Sequence, residues 1–222
     1  MNTESNTLSI QGISAFFPNS VRDRVSNHIH IYDSLESTNI TAKEFSLSGA
    51  AHGTVIIADS QTKGKGRHGK AFHSPPGHGI YMSFVLNPDQ LSISTNSLIT
   101  LSAAITVCEA IEAVTDKSPK VKWVNDIFLD GRKVCGILTE SVIGAQSHIQ
   151  QGIILGIGIN FTTPLHEFPD QLQQTAGALF EAQSPPITRN QLISEIIYRI
   201  IYPNASYSEE ELLVLYSIRQ FL

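Results

Sequence analysis

The chain runs VKWVNDIFLDGRKVCGIL from Val121 to Leu138, and this stretch decides the fold. Its two apolar runs flank Asp130-Gly131, a dipeptide that favours a type I′ turn because both central residues of that turn take positive φ angles. The pattern predicts a β-hairpin in which Leu129 pairs with Arg132 across the turn. The stretch therefore contributes two antiparallel strands.

The register of this hairpin brings charged side chains together. Continuing the pairing away from the turn places Phe128 opposite Lys133 and Asp126 opposite Cys135. Alternate residues of a strand share a face, so Asp126 and Lys133 are expected to project from the same face, one step apart. A face that carries both charges can bind a charged ligand.

Hydrophobic periodicity predicts the elements on either side of the hairpin. Strands are predicted at residues 28–33, 53–59, 80–86 and 151–160, and helices at 37–47, 97–114, 188–201 and 208–220. Residues 162–187 are predicted to form a loop because they include four prolines. This order of elements predicts an α+β domain with a mixed, largely antiparallel sheet and helices packed on one side.

Composition and charge limit the class of protein. The 222 residues are 41% hydrophobic and 16% charged, which fits one globular domain of roughly 100–250 residues. The formal net charge of −5 at pH 7 argues against a broad basic face for nucleic acid. No run approaches the ~20 apolar residues that cross a bilayer, and the N-terminus lacks the basic start of a signal peptide. We therefore expect a cytoplasmic protein that binds neither DNA nor a membrane.

The two cysteines, Cys108 and Cys135, both lie in apolar stretches. Two cysteines are too few for a disulfide framework, and this usage is typical of a reduced cytoplasmic protein. We therefore expect both thiols to pack in the core.

One basic loop, residues 61–73, contrasts with the acidic chain. Lys63, Lys65, Arg67 and Lys70 fall within eight positions of it. An acidic protein repels anions at long range, so a local cluster of cations indicates one small anionic ligand rather than a polymer held along a surface. The alternative is a solvated basic turn between two strands.

The glycines of the basic loop match two phosphate-binding patterns outside the structural context of either. Gly64–Gly69 fits GxGxxG, and Gly64–Lys70 fits GxxxxGK. Both patterns need a helix directly after the glycines, because the helix N-terminus binds the phosphate. Here Pro75 and Pro76 follow, and Ala71 replaces the Ser or Thr that binds magnesium in a Walker loop. We expect instead a flexible loop whose cations close over a phosphate.

Two further short segments contain residues that could contact a ligand. Asn125 and Asp126 follow an apolar strand, and a carboxylate beside ATP phosphates is the usual protein ligand of Mg²⁺. Alternatively, Asp126 is a hairpin residue without a ligand. Gly156 and Gly158 interrupt the predicted strand at 151–160, where they either allow close approach of a ligand or serve sheet packing alone.

Four blocks of sequence occur together in an order found in one family. They are ESTN at 36–39, QTKGKGRHG at 61–69, KWVND at 122–126 followed by GRKVCGIL at 131–138, and GIGIN at 156–160. The second and third blocks are specific as a pair, since either alone is a weak signal. Together the blocks resemble the catalytic domain of biotin protein ligases, also called biotin–[acetyl-CoA-carboxylase] ligases, and the resemblance covers about residues 31–160.

The resemblance implies a fold of the biotin/lipoate protein ligase catalytic-domain type and a two-step reaction. Biotin and ATP, with Mg²⁺, would form biotinyl-5′-AMP and pyrophosphate. A lysine of biotin carboxyl carrier protein, from acetyl-CoA carboxylase or a similar carboxylase, would then accept the biotin. The resemblance also allows a homodimer.

The resemblance assigns roles to residues of the four blocks and the basic loop. For biotin these are Ser37, Thr38, Asn39, Gln61, Gly64, Lys65, Gly66, Arg67, Lys133, Gly136, Gly156 and Gly158. Lys65, Arg67 and Lys133 would be catalytic, because they would hold the carboxylate and the α-phosphate. For ATP the residues are Arg67, Lys70, Phe72, Asn125, Asp126 and Asn160, with Asp126 as the ligand of Mg²⁺.

Simpler interpretations of three of these residues stay open. Ser37 and Thr38 are also suitable helix caps, because their hydroxyls can accept backbone N–H groups at a helix start. Lys133 can also be a solvated hairpin residue.

The chain departs from the family pattern in its residues and in its expected domains. The family usually has Arg where this chain has Lys65, and lysine lacks the planar fork that holds a carboxylate or phosphate with two hydrogen bonds. We also expect neither an N-terminal winged helix nor a complete C-terminal SH3-like domain. Residues 1–222 are therefore predicted to form a single catalytic domain.

Two other functions remain open from the sequence. A lipoate or octanoate protein ligase or transferase belongs to the same superfamily, although the basic loop paired with KWVND favours biotin. A biotin-binding protein without turnover is suggested by Lys65 and by the expected lack of a C-terminal module.

Overall fold

Seven strands form one sheet in the computed structural model, which describes residues 7–91, 95–144, 150–181, 185–203 and 207–221. The strands are β1 (Ile29–Leu35), β2 (Thr54–Gln61), β3 (Gly79–Leu86), β4 (Lys120–Lys122), β5 (Asp126–Leu129), β6 (Arg132–Ile143) and β7 (Gln150–Asn160). Their order across the sheet is β1-β2-β3-β7-β6-β5-β4. β1 and β2 run parallel, and the other neighbouring pairs are antiparallel. The predicted mixed, largely antiparallel sheet is confirmed.

Six α-helices lie within the described residues, and the longest three begin at a capping hydroxyl. The helices are α1 (Ile10–Ser14), α2 (Arg22–Ser26), α3 (Thr38–Leu47), α4 (Asn96–Val114), α5 (Arg189–Ile201) and α6 (Glu209–Arg219). The hydroxyls of Thr95, Thr188 and Ser208 accept hydrogen bonds from backbone N–H groups in the first turns of α4, α5 and α6. These three helices and α3 lie where the sequence predicts them. The sequence patterns do not predict α1 and α2, because such short helices show no clear period.

The helices cover both faces of the sheet. The main core packs α1, α2, α4, α5 and α6 against one face, where Val55 and Ile57 of β2 are buried. Ile56 points to the opposite face, as alternation along a strand requires, and packs with Ala42 of α3 in a smaller cluster. The sequence predicts helices on one side, whereas α3 lies on the other side from the rest. α3 therefore covers one end of the second face and leaves the remainder of that face to the basic loop.

α4 meets the length and composition criteria for a membrane span, although the apolar runs of the sequence predict no span. The most apolar 18-residue stretch of this helix has a mean hydropathy of 1.6, and 56% of that stretch is buried inside the fold. Leu101, Ile105 and Ile111 of this helix are fully buried in the main core. The apolar composition is thus accounted for by packing against the sheet and α5.

Both cysteines pack in the core, as predicted. Cys108 on α4 and Cys135 on β6 are buried free thiols. Burial raises the pKa of Cys108 to about 12 and the pKa of Cys135 well above its ordinary value. Both thiols therefore stay protonated at neutral pH and act as small apolar side chains.

The predicted hairpin forms, and its turn has the predicted geometry. Asp130 and Gly131 take φ angles of 50° and 78°, as a type I′ turn requires. Leu129 pairs with Arg132, and the next pair away from the turn is also the predicted one. The first predicted strand is divided into β4 and β5 by a turn at residues 123–125.

One extra residue on β6 shifts the register further from the turn. Val134 is skipped where β5 pairs with β6, which forms a β-bulge. Asp126 therefore pairs with Gly136, and the predicted pairing with Cys135 is wrong. Asp126 still reaches the side chain of Lys133, so the predicted shared face is confirmed.

Candidate active site

Three glycines remove side chains from the sheet face that α3 partly covers. Gly158 on β7 pairs with Gly136 on β6, and Gly156 pairs with Ser83 on β3. Because alternate residues share a face, these positions form a continuous groove across the centre of the sheet. A Cβ atom at Gly158 would lie 2.7 Å from the ring of Phe72, and one at Gly136 would lie 3.2 Å from the same ring. Side chains therefore lie directly on the glycine backbone.

A cleft opens over this groove and gathers most of the predicted biotin-site residues. Its lining comprises Ser37, Thr38, Asn39, Gln61, Lys65, Gly66, Arg67, Phe72, Asn125, Lys133, Gly136, Ile137, Leu138, Gly156, Ile157 and Gly158. Gly64 lies behind this lining, where a Cβ atom would overlap with the carbonyl oxygen of Phe72. The enclosed volume of the cleft is about 40 Å³, which is room for about three water molecules.

A second cleft, of about 490 Å³, adjoins the first and contains all the predicted nucleotide-site residues. These are Arg67, Lys70, Phe72, Asn125, Asp126 and Asn160. Gly66, Arg67, Phe72, Asn125 and Lys133 line both clefts. The structure thus places the two predicted sets side by side, with these shared residues at their boundary.

Polar side chains at the start of α3 form one end of the first cleft. Ser37, Thr38 and Asn39 are buried. Ser37 occupies the position that precedes the helix, but its hydroxyl makes no capping hydrogen bond. Instead Oε1 of Gln61 accepts the backbone N–H of Thr38 at 2.9 Å and caps the helix from β2. The interpretation of Ser37 as a helix cap is therefore wrong.

Three polar residues that the sequence patterns do not single out join this cluster. Ser83 donates to Oδ1 of Asn39 at 2.6 Å, and Oε2 of Glu140 accepts from Nδ2 of Asn39 at 2.6 Å. Ser74 accepts from Nε2 of Gln61 at 2.8 Å. Ser83 is a hydroxyl in a strand that is buried throughout, and this is the signal in the sequence that points to it.

The basic loop crosses the groove and contacts the turn before β5. It is closed at its base by the backbone N–H of Phe72, which donates to the carbonyl of Gly64 at 2.8 Å. Nη1 of Arg67 donates to Oδ1 of Asn125 at 3.0 Å, and Lys65 lines the first cleft. The loop is therefore built into the site rather than extending freely into solvent.

Lys133 and Asp126 form an ion pair at the boundary of the two clefts. Nζ of Lys133 lies 2.7 Å from Oδ1 of Asp126. The same carboxylate oxygen accepts from Nδ2 of Asn125 at 2.8 Å. The ammonium group lies only 3.2 Å from where a Cβ atom of Gly136 would be, so it sits directly above the glycine groove. Lys133 is thus a part of the cleft and not a freely solvated hairpin residue.

The side chains of Asn160 and Tyr81 hold loops beside the clefts through hydrogen bonds to loop carbonyls. Asn160 is buried and donates from Nδ2 to the carbonyl of Gly177 at 2.9 Å, which attaches the loop after β7 to the sheet. The hydroxyl of Tyr81 donates to the carbonyl of Pro75 at 3.0 Å, and its ring packs edge-on against Phe72. Burial raises the pKa of Tyr81, so the phenol remains a neutral donor at this position.

Comparison with known proteins finds relatives that are named as ligases. The chain is 38% identical over 173 residues to the bifunctional ligase/repressor BirA of Bacillus spizizenii, with 78% of this chain and 52% of that protein covered. It is 28% identical over 165 residues to the biotin–[acetyl-CoA-carboxylase] ligase of Mycobacterium tuberculosis, with 72% of this chain and 58% of that protein covered. The chain therefore spans little more than half the length of these relatives.

A solved structure of a biotin protein ligase shares the fold of this chain. The biotin protein ligase from Aquifex aeolicus in complex with biotin and ATP matches with a TM-score of 0.66 at 28% identity, over 85% of this chain and 72% of that chain. The family model for the biotin/lipoate A/B protein ligase family matches residues 31–160, which include the glycine groove and the basic loop. This match spans more than half of the chain, and the chain therefore belongs to the biotin/lipoate A/B protein ligase family.

Proposed function

We propose that this protein activates biotin with ATP and then attaches it to a lysine of biotin carboxyl carrier protein. The observation that carries the proposal is the meeting of the two clefts at Arg67 and Lys133. A carboxylate in the first cleft would lie beside a phosphate in the second, with both cations between them. The names of the relatives from Mycobacterium tuberculosis and Aquifex aeolicus, and the biotin and ATP bound to the latter, support this choice of substrates.

The first step joins two anions. A carboxylate oxygen of biotin attacks the α-phosphorus of ATP, and the bond from that phosphorus to the bridging oxygen breaks. The products are biotinyl-5′-AMP and pyrophosphate. Positioning and positive charge near the phosphoryl oxygens are the main requirements of such a step. Lys65 on the biotin side, with Arg67 and Lys133 at the boundary, meets both requirements.

The second step transfers the biotinyl group. The neutral amine of the carrier lysine attacks the carbonyl carbon of the mixed anhydride, the bond to the AMP oxygen breaks, and the nitrogen releases a proton. Negative charge returns to the phosphate of AMP, where the ammonium of Lys133 can stabilise it. The proposed acceptor is the carrier protein of acetyl-CoA carboxylase or of a similar carboxylase, and the proposed compartment is the cytoplasm.

Asp126 fits a role beside Mg²⁺-ATP. Mg²⁺ keeps several waters and is usually held by one or two carboxylates together with substrate phosphates. Among the described residues, no group of three or more His, Cys, Asp or Glu side chains could hold a metal by itself. A single carboxylate that lines the nucleotide cleft matches the first pattern, so Asp126 would hold Mg²⁺ together with ATP. The ion would neutralise part of the phosphate charge.

In this proposal biotin takes the space that Phe72 now occupies. The first cleft encloses about 40 Å³, and the ring of Phe72 lies over Gly158 and Gly136. A bicyclic ligand seated on the glycine groove would therefore displace this ring. Phe72 also lines the second cleft, where its ring can stack on adenine after it moves.

Pyrophosphate exchange into ATP tests the proposal directly. The protein is incubated with ATP and labelled pyrophosphate in the presence of biotin or lipoate, and an added carrier domain is then examined by mass spectrometry. We expect exchange that depends on biotin and a carrier that gains one biotinyl group. Exchange with lipoate alone would indicate a lipoate ligase. Biotin binding without exchange would indicate a binding protein, and exchange with neither acid would exclude both ligases.

A further inference from the structure

Glu140 lies at one end of a chain of hydrogen bonds that runs through the first cleft. It is on β6, on the sheet face that carries Gly136, but it is not among the residues that line the cleft. Its Oε2 accepts from Nδ2 of Asn39 at 2.6 Å. Asn39 does line the cleft, and its amide lies directly against Gly156. Glu140 is therefore placed to act on a ligand through Asn39.

The chemistry of these groups fixes the direction of each hydrogen bond. A carboxylate only accepts, so Asn39 must present its NH₂ group to Glu140 and its carbonyl oxygen to Ser83, which lies 2.6 Å away. An amide oxygen also only accepts, so the single hydroxyl hydrogen of Ser83 is committed to Asn39.

The chain of hydrogen bonds continues from Ser83 to Thr38. Oγ of Ser83 lies 2.8 Å from Oγ1 of Thr38. The Thr38 hydroxyl donates to Oε1 of Gln61 at 3.2 Å, so its single hydrogen is directed away from Ser83. The same oxygen of Gln61 accepts the backbone N–H of Thr38 at 2.9 Å. The second Nδ2 hydrogen of Asn39 then remains for a ligand.

We propose that Glu140 is a positioning residue that fixes the donor and acceptor pattern of the pocket for the urea ring of biotin. The inference rests on the proposed function. A cyclic urea has two N–H donors and one carbonyl acceptor, so it binds only where acceptors and donors are presented in a matching order. Without Glu140, the Asn39 amide could turn over, and the pattern of donors and acceptors at Asn39 and Ser83 would reverse.

Glu140→Gln tests this role because it keeps the shape of the side chain and lets Asn39 adopt either orientation. We expect KM for biotin in pyrophosphate exchange to rise about tenfold, which corresponds to one mismatched hydrogen bond. KM for ATP and kcat at saturating biotin should stay within about twofold, because no group that touches the phosphates has changed. Glu44→Gln, the same change on the exposed side of α3, should leave all three constants unaltered.

A reversed pair provides a second test. Asn39→Asp alone places two carboxylates in contact and should weaken biotin binding about 100-fold or more. When Glu140→Gln is added to Asn39→Asp, the amide of the new glutamine can donate to the carboxylate of the new aspartate. The other oxygen of that aspartate still accepts from Ser83. The double variant should therefore bind biotin at least about tenfold better than Asn39→Asp alone.

Several outcomes would overturn the positioning role. One is an unchanged KM for biotin in Glu140→Gln. Another is a fall in kcat, or a rise in KM for ATP, as large as the rise in KM for biotin. Unfolding of Glu140→Gln, or no recovery in the double variant, would show that Glu140 only anchors α3 to the sheet. Wild-type protein that shows no biotin-dependent exchange would contradict the proposed function instead, so the two failures are distinguishable.

Discussion

Nζ of Lys133 lies 2.7 Å from Oδ1 of Asp126, so the cation proposed to bind the substrates is already paired with a carboxylate in the free protein. About a third of each side chain is exposed, and ion pairs this accessible contribute little to stability. An entering carboxylate or phosphate can therefore take over Lys133 at small cost. Asp126 is then released toward the nucleotide cleft, where it would bind Mg²⁺.

Lys133→Ala is expected to lower the rate of biotin-dependent pyrophosphate exchange about 100- to 1000-fold, because a preorganised positive charge is lost at the reacting phosphate. Thermal unfolding should stay close to that of wild type, since the side chain is partly exposed. Lys120→Ala, on the edge strand β4 and outside both clefts, is the matched control and should keep full exchange. Exchange that survives in Lys133→Ala would remove this residue from the site.

Gly156→Ala is expected to raise KM for biotin about 10- to 100-fold, because its Cβ atom would overlap with the Asn39 amide and displace it. KM for ATP should change little. Gly152→Ala, on the same strand and face, is the control, since the one overlap of its Cβ atom would be with the hydroxyl of Ser46, which can rotate. Steady-state exchange kinetics measure both constants. Equal effects of the two substitutions on biotin would contradict a specific role for Gly156.

The fold could be predicted where one local pattern decides an element. The apolar spacing of α4 and the turn at Asp130-Gly131 are such patterns, and the structure confirms both. The bulge at Val134 could not be predicted, because it depends on how two strands meet rather than on the alternation within either. The position of α3 likewise depends on which face of the sheet the other helices already cover.

The site could be predicted to the extent that its residues lie within short blocks of sequence. Asn39 and Gln61 are in such blocks, whereas Ser83 and Glu140 lie 44 and 101 positions from Asn39. They meet Asn39 because β3 and β6 flank β7 in the sheet. A local signal, such as the hydroxyl of Ser83 in an apolar strand, can mark a residue, but it cannot show which residue that side chain contacts across the sheet.

Phe72→Ala is expected to speed the association of biotin, because it empties the groove above Gly158 and Gly136. The gain should be about tenfold if the ring occupies the groove nine-tenths of the time. KM for ATP should rise about 2- to 10-fold as the stacking surface for adenine is lost. Stopped-flow mixing with biotin measures the first effect, and exchange kinetics measure the second. Association no faster than in wild type would show that Phe72 does not block the groove.

Lys65→Arg is expected to slow the release of biotinyl-5′-AMP about tenfold, because a guanidinium can hold the carboxylate or phosphate side of the intermediate with two parallel hydrogen bonds. Lys65 lines the first cleft, whereas Lys63 lines neither cleft and lies 3.4 Å from Glu36. Lys63→Arg therefore makes the same chemical change two residues away and should leave release unaltered. Release is followed by trapping free intermediate over time. Identical release from Lys65→Arg and wild type would show that the ammonium of Lys65 does not hold the intermediate.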